Sequence, residues 1–356
     1  MPAWRGLGPP AGAGDPASLP VVPNDLTLLL LAVLGLAVLF DYINGFHDTA
    51  NAIATSVSTR ALRPEHAILM SATANFVGAL TGTAVAKTIS SGLADTPAGA
   101  DGQTIVAAAL VGAIVWNLVT WRLGIPSSSS HALIGGLLGA VIASIGAQAI
   151  KVDGVIGKVI VPLVLSPILG IAIGFAAMVV ILNVFRRANP RRINERFRRL
   201  QIVSAAFMAF SHGSNDAQKT MGIMTLALIA AGALPADASI PLWVIVLAAS
   251  AISLGTAAGG WRIIRTMGQR VVKLDPVHGF AAETTAASII LTASHFGMPV
   301  STTHVISSAI IGVGSSDRLS AVRWGVAGNI VIAWILTIPA SAAVAAVAYL
   351  VLSPIL

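Results

Sequence analysis

Two short polar strings interrupt otherwise apolar stretches of the chain: Asn44-Gly45-Phe46-His47-Asp48-Thr49-Ala50-Asn51 and His212-Gly213-Ser214-Asn215-Asp216-Ala217-Gln218-Lys219. In each, Gly is followed by two residues and then Asp. A carboxylate in hydrocarbon is costly, and it marks a functional site by default. Asp48 and Asp216 can each ligate a hard cation such as Na⁺ or exchange a proton. Helix capping alone does not explain them, because Asn caps at lower cost there. Lys219 lies one turn beyond Asp216, as a salt-bridge partner, a positive charge for an anion, or both.

A second matching pair is Gly124-Ile125-Pro126-Ser127-Ser128-Ser129-Ser130-His131 and Gly297-Met298-Pro299-Val300-Ser301-Thr302-Thr303-His304. Small hydroxyl residues also pack membrane helices, but four consecutive serines point all round a helix. They suit a loop entering a helix, where hydroxyls and free backbone amides converge on an anion. Pro126 and Pro299 are expected at the helix start. Ser128, Ser129, Ser130, Ser301, Thr302 and Thr303 are the expected oxyanion donors. Asn215 and Asn51 are nearby carboxamide ligands. His131 and His304 are expected to orient the hairpins.

The elements that position these strings must be membrane helices. The 356 residues are 56% hydrophobic and 10% charged, against about 25% charged in a soluble domain. Ten apolar segments read as all-α polytopic architecture: 26–57, 66–89, 103–121, 128–149, 159–184, 200–232, 241–261, 277–295, 300–315 and 324–352. Residues 26–57 and 200–232 exceed the ~20 residues of one span, with Gly45 and Gly213 inside them. Helices broken at those strings are the expectation. Residues 1–25, rich in Gly, Pro and Ala, read as a disordered tail. The net charge of +7 includes seven arginines between Arg186 and Arg199, which fits a cytoplasmic loop facing anionic lipid and gives no reason to expect nucleic acid. The chain has no cysteine, so thiolate chemistry is excluded.

The two Asp residues are 168 positions apart and the two string histidines 173 apart. Two homologous repeats follow, 26–185 and 200–356, joined by the linker 186–199. Arg60 and Arg63 follow the first long segment, whereas its counterpart loop 233–240 has Asp237 and no base. The loop 90–102 has Asp95 and Asp101, whereas its counterpart has Arg262, Arg265, Arg270 and Lys273. The positive-inside bias reverses, so the repeats have inverted topology and both termini face outside. Lys151 and Lys158 on the expected outer side count against this.

The strings NGFHDTANAIAT and HGSNDAQKTMG, with the Gly-x-Pro-(Ser/Thr)-His strings, resemble the inorganic phosphate transporter (PiT) family, including its bacterial low-affinity permeases. The resemblance covers nearly the whole chain in order. It implies secondary transport of inorganic phosphate by Na⁺ or H⁺ symport, with the Ser/Thr strings at the tips of re-entrant helical hairpins, and it suggests a metal–phosphate complex as the carried species. Many sodium-coupled members have Asn-Asp in both copies; here the first copy is His47-Asp48.

The site is therefore asymmetric. Asp216 with Asn215 offers oxygen ligands to a hard cation. His47 suits Na⁺ poorly, and imidazole ordinarily titrates near neutral pH. Proton coupling is favoured at Asp48, Asp216 and His47, with Asn51 and Glu283 as further coupling residues; sodium coupling and a sulfate permease of the same fold are the alternatives. No organic cofactor is expected. The partners are phosphate, a coupling cation, the lipid bilayer of the cell membrane and a second copy of the chain as a homodimer. An intramembrane metalloenzyme on His47, Asp48, His212 and Asp216 lacks any His-Glu-x-x-His or Gly-x-Ser-x-Gly signature, so no enzyme is expected. A channel suits paired broken helices less well than alternating access does.

With the linker cytoplasmic, Asn194→Cys in this cysteine-free chain should stay unlabelled by a membrane-impermeant thiol reagent in intact cells. Labelling without permeabilisation would reverse the orientation.

Overall fold

The computed structural model describes residues 27–356 except Gly260, and not the side chains of Trp261, Gln269 and Arg270. The expected tail 1–25 lies outside the described residues. Twelve α-helices dominate these residues, with no strand beyond an isolated bridge between Ala94 and Ile150. They are α1 Leu28–Ser58, α2 Pro64–Ala79, α3 Ala84–Ser91, α4 Ala100–Leu123, α5 Ser129–Ile145 and α6 Val152–Val184, then α7 Pro190–Ala230, α8 Leu242–Ala258, α9 Trp261–Arg265, α10 Pro276–His295, α11 Thr302–Asp317 and α12 Trp324–Leu352. Four of them, α1, α4, α6 and α12, are long and apolar enough to cross a membrane, and up to six spans result if each bent pair is one.

Helix starts follow local chemistry. Thr27 caps α1 by accepting from the Leu30 amide at 3.2 Å. Asn189 caps α7 with Pro190 at the first helical position. The Arg-rich segment is thus largely helix, the first turns of α7, rather than a loop. Asp275 caps α10, and His278 in its first turn reaches Asp275 at 2.7 Å and Asp317 at 3.0 Å. That contact closes the open end of the α10–α11 hairpin.

The expected breaks at the polar strings are absent: α1 and α7 run unbroken through Gly45 and Gly213. The glycines serve close helix approach instead. A Cβ at Gly45 would meet the Ile252 carbonyl oxygen at 2.2 Å, and one at Gly255 would meet that of Tyr42 at 2.0 Å. On the other side, a Cβ at Gly213 would meet the Asn75 carbonyl oxygen at 2.2 Å, and one at Gly78 that of Phe210 at 2.0 Å. Each crossing therefore pairs two glycines reciprocally, as small residues permit between membrane helices. The bends fall elsewhere. Segment 66–89 divides into α2 and α3 at 70°, and α8 turns by 64° into the Arg262–Gly268 helix.

Packing exchanges elements between the halves. Helix α1 packs on α8, and α7 on α2. The α4–α5 hairpin rests on α12, while α11 of the second hairpin rests on α6. Both hairpin tips are buried inside the bundle, with Ser127 to Ser130 and Ser301 to Thr303 at 2% exposure or less.

Gly213→Ala should lower the thermal midpoint by the equivalent of about 1–3 kcal/mol, because a packed backbone must move. Gly35→Ala, with nothing within 4 Å of its Cβ, should be neutral or stabilising by roughly 0.5–1 kcal/mol. Equal effects of the two would remove the crossing role of Gly213.

Candidate functional site

The two hairpin tips are built alike. Each first helix ends on a left-handed glycine, Gly124 at φ 67° and Gly297 at φ 65°. The following amide then turns back: Ile125 N–H to the Thr120 carbonyl, and Met298 N–H to that of Ala293, both 2.9 Å. The proline comes next inside a three-residue turn, with Ser127 N–H on the Ile125 carbonyl and Val300 N–H on that of Met298, again 2.9 Å. Pro126 and Pro299 thus precede their helices by three residues and do not occupy the first helical position; their fixed φ suits the turn. Ser128 and Ser301 are the N-caps, accepting from the His131 and His304 amides at 3.2 Å. The Ser129 hydroxyl has no partner among the described residues.

Between these tips lies the Asp216–Lys219 pair at 2.5 Å, fully buried. The Lys219 ammonium also donates to the Ser130 hydroxyl and, at 3.0 Å, to the Val300 carbonyl. It therefore joins α7 to both tips. Thr302 donates to the other Asp216 oxygen at 3.3 Å. Asn51 on α1 donates to Thr303 at 2.9 Å and to Thr302 at 3.2 Å. Asn215 donates to Ser294 at 2.7 Å and leaves its amide oxygen unpartnered.

Asp48 accepts from His47 Nδ1 at 2.6 Å. The other imidazole nitrogen meets Thr120 at 3.1 Å, and Ser127 donates to the same Thr120 oxygen at 2.8 Å. The first tip is thereby tied to the first polar string. His212 approaches Asp216 at 3.3 Å outside hydrogen-bond geometry, while its Nδ1 meets Asn75 at 3.0 Å. One ligand atom each from Asp48, His212 and Asp216 lies within 4.8 Å of the others. These residues could hold a small cation.

His131 and His304 touch at 4.8 Å between ring centres, and His304 stacks on Trp334 at 4.0 Å. They pack the tips against each other. Glu283 is not brought to the Asp pair: its carboxylate has its own donors in Thr55, Ser204 and, at 3.1 Å, Gln201. Asn75, the partner of His212, donates in turn to Thr256 at 2.8 Å. Sequence reasoning missed Thr120, Asn75, Thr256, Ser294 and Asp41, and left Ser127 out of the donors although it stands in the serine run. Of the others only Asp41 carried a signal, a carboxylate two helical turns before Asp48 on the same face.

The chain matches the family model described as "Phosphate transporter family" over residues 44–194 and 185–345. It is 50% identical over 330 residues to a probable low-affinity inorganic phosphate transporter of Bacillus subtilis, covering 93% of this chain and 99% of that one. The protein of the same description from Rhizobium meliloti is 48% identical over 322 residues, covering 90% and 96%. A solved structure described as "The sodium-dependent phosphate transporter" superposes with a TM-score of 0.86 at 26% identity, covering 93% of this chain and 100% of that one.

Removing one partner of a buried pair leaves an uncompensated charge and costs about 3–5 kcal/mol. Asp216→Asn and Lys219→Met should each lower stability on that scale, and the double variant should cost clearly less than the sum. Additive losses in thermal melts would show that the pair does not couple.

Proposed function

Because the chain belongs to the phosphate transporter family, we propose that it imports inorganic phosphate across the cell membrane by cation symport, with protons favoured as the coupling ion. The observation that carries this reading is the double engagement of Lys219. The same ammonium holds Asp216, a candidate cation ligand, and reaches Ser130 and Val300 of the two tips. Phosphate arriving between the tips would find Lys219, the free Ser129 hydroxyl, Ser128, Ser301, Thr302, Thr303 and two helix N-termini. An ammonium turned to phosphate leaves Asp216 uncompensated, and a buried carboxylate must then take a cation. Phosphate and cation loading are linked through one side chain.

The proton reading rests on His47. With Nδ1 donating to Asp48, Nε2 of the neutral ring faces the Thr120 oxygen, whose own hydrogen has the Trp116 carbonyl at 2.9 Å, and the imidazolium would donate to that oxygen. Asp48 thus has a proton carrier bonded to it. The second reading is sodium coupling, favoured by the close approach of Asp48, His212 and Asp216 and by the superposition on a transporter described as sodium-dependent. Asn51 and Asn215 then supply carboxamide oxygens, and Glu283 remains a coupling candidate through Thr55, one turn beyond Asn51. A metal–phosphate complex as cargo fits either reading. Sulfate offers the same four oxygens, and its failure to compete is part of the test.

We also read residues 26–185 and 200–356 as inverted repeats about this site. The duplicated tips and the reciprocal glycine crossings support it. In that arrangement the segment 186–199 is cytoplasmic and the termini are outside.

Uptake of labelled phosphate into proteoliposomes, with pH and Na⁺ gradients imposed separately, tests the function. The pH gradient should drive accumulation, and His47→Asn should flatten the pH dependence. Accumulation that follows only Na⁺ transfers the coupling to sodium; none with either gradient, or uptake abolished by sulfate, ends the phosphate reading. Hydrogen bonds to a charged group are worth about 1.5–3 kcal/mol, so Ser129→Ala and Thr302→Ala should each raise the half-saturating phosphate concentration roughly ten-fold or more. Unchanged affinity in both would remove the hairpins from the site.

A further inference from the structure

Six buried polar atoms on α1, α4 and α7, beyond the Asp48–His47 contact, have no hydrogen-bond partner among the described residues. They are both carboxylate oxygens of Asp41, Oδ1 of Asn44, both amide atoms of Asn117 and the Thr220 hydroxyl. All four residues are at 1% exposure or less. Asp41, Asn44 and Asp48 follow at spacings of three and four, on one face of α1. The side chains of Asn44 and Thr220 face the Asp41 carboxylate as hydrogen-bonding groups, outside strict hydrogen-bond geometry. Asn117 stands one turn before Thr120, which holds His47, and so shares the face of α4 turned to α1. Native interiors leave few polar atoms unpaired, and each unpaired group needs an explanation.

A buried carboxylate needs a countercharge or a proton. The charged groups facing Asp41 are Asp216 and Lys219, both on α7. Lys219 has three ammonium hydrogens, and they are engaged by Asp216, Ser130 and the Val300 carbonyl. None remains for Asp41. A bound water would bond these oxygens but leave the charge. A proton would neutralise the charge, with the Asn117 amide hydrogens and the Thr220 hydroxyl as donors to the other oxygens, but it fixes only one oxygen in place. A hard monovalent cation meets both demands, because it takes several oxygen ligands at once.

We propose that Asp41, Asn44, Asn117 and Thr220 form a second cation site, for a small hard monovalent ion such as Na⁺, separate from Asp48 and Asp216. The ligands come from three helices and are all oxygens. The site does not rest on the phosphate reading or on which ion drives transport.

The test uses the purified full-length protein, with no phosphate present. Thermal midpoints are measured as NaCl replaces N-methylglucamine chloride at constant ionic strength and pH. The background is Asp48→Asn, which takes a carboxylate from the other site. Sodium should still raise the midpoint there, as any ligand of the native state does. Adding Asp41→Asn should raise the half-saturating Na⁺ concentration about ten-fold or more. Thr220→Val and Asn117→Leu, which keep the carboxylate, should raise it several-fold, and they carry the test if Asp41→Asn does not fold. The proposal is overturned by a midpoint indifferent to Na⁺ in the Asp48→Asn background, or by a Na⁺ effect unchanged in the site variants. It is equally overturned if lowering the pH without Na⁺ reproduces the effect, which makes the occupant a proton.

Discussion

A buried ammonium with three bonds organises this protein. Lys219 is buried, so protein groups meet its three hydrogens, and each lies on a different part of the fold. Asp216 is one turn away on α7, Ser130 opens α5, and the Val300 carbonyl precedes α11. The cost of burying the charge falls only if all three are in place together. Correct placement of both hairpins, one from each half, is therefore a condition for a stable site. The same demand sets the tip geometry, since a carbonyl can face Lys219 only where the chain is not yet helical, and the turn at Pro299 provides that stretch.

The long helices meet the same constraint in another way. A helix broken at Gly45 or Gly213 would free backbone groups beside Asp48 or Asp216 and add unpaired donors and acceptors to a dry site. Unbroken helices keep the backbone satisfied and let side chains alone present charge. What the glycines give up in side-chain packing returns as backbone proximity: α1 meets α8, and α7 meets α2, at distances no Cβ allows. Those crossings stand beside the carboxylates and hold them level with the tips.

The chemistry was more legible in the sequence than the backbone. Asp48, Asp216 and the serine runs stand out because charge and consecutive hydroxyls are out of place in apolar chain, and duplication doubled the signal. Glycine is ambiguous until its neighbour is known, so a hinge and a contact read alike; this misplaced the breaks. The true bend after α2 falls at Leu80-Thr81-Gly82-Thr83, which looks like ordinary small-residue helix. Pro126 and Pro299 were read by the commonest role of proline at a helix start, whereas the backbone needed a turn first. Asp41 escaped because matching the copies favours residues that occur twice: 168 positions on stands Ala209. Asn75, Thr120 and Thr256 had no mark at all, since polar residues of that kind are common in membrane helices.

The two polar strings and the two tips are built alike, but the copies differ in charge, and one difference stands one turn beyond the Asp. Three residues after Asp48 comes Asn51; three residues after Asp216 comes Lys219. Each reaches the hairpin tip of the other half: Asn51 bonds Thr302 and Thr303, and Lys219 bonds Ser130. The crosswise contact makes each tip sense the Asp of the opposite half. Had both positions carried Asn, an anion between the tips would meet two carboxylates and no cation. Had both carried Lys, each Asp would be held by its own lysine. One of each ties Asp216 to its own lysine, while among the described residues Asp48 bonds His47 alone. In the proposed function, a single lysine between two similar tips therefore lets an anion and a cation load at one place without either cancelling the need for the other.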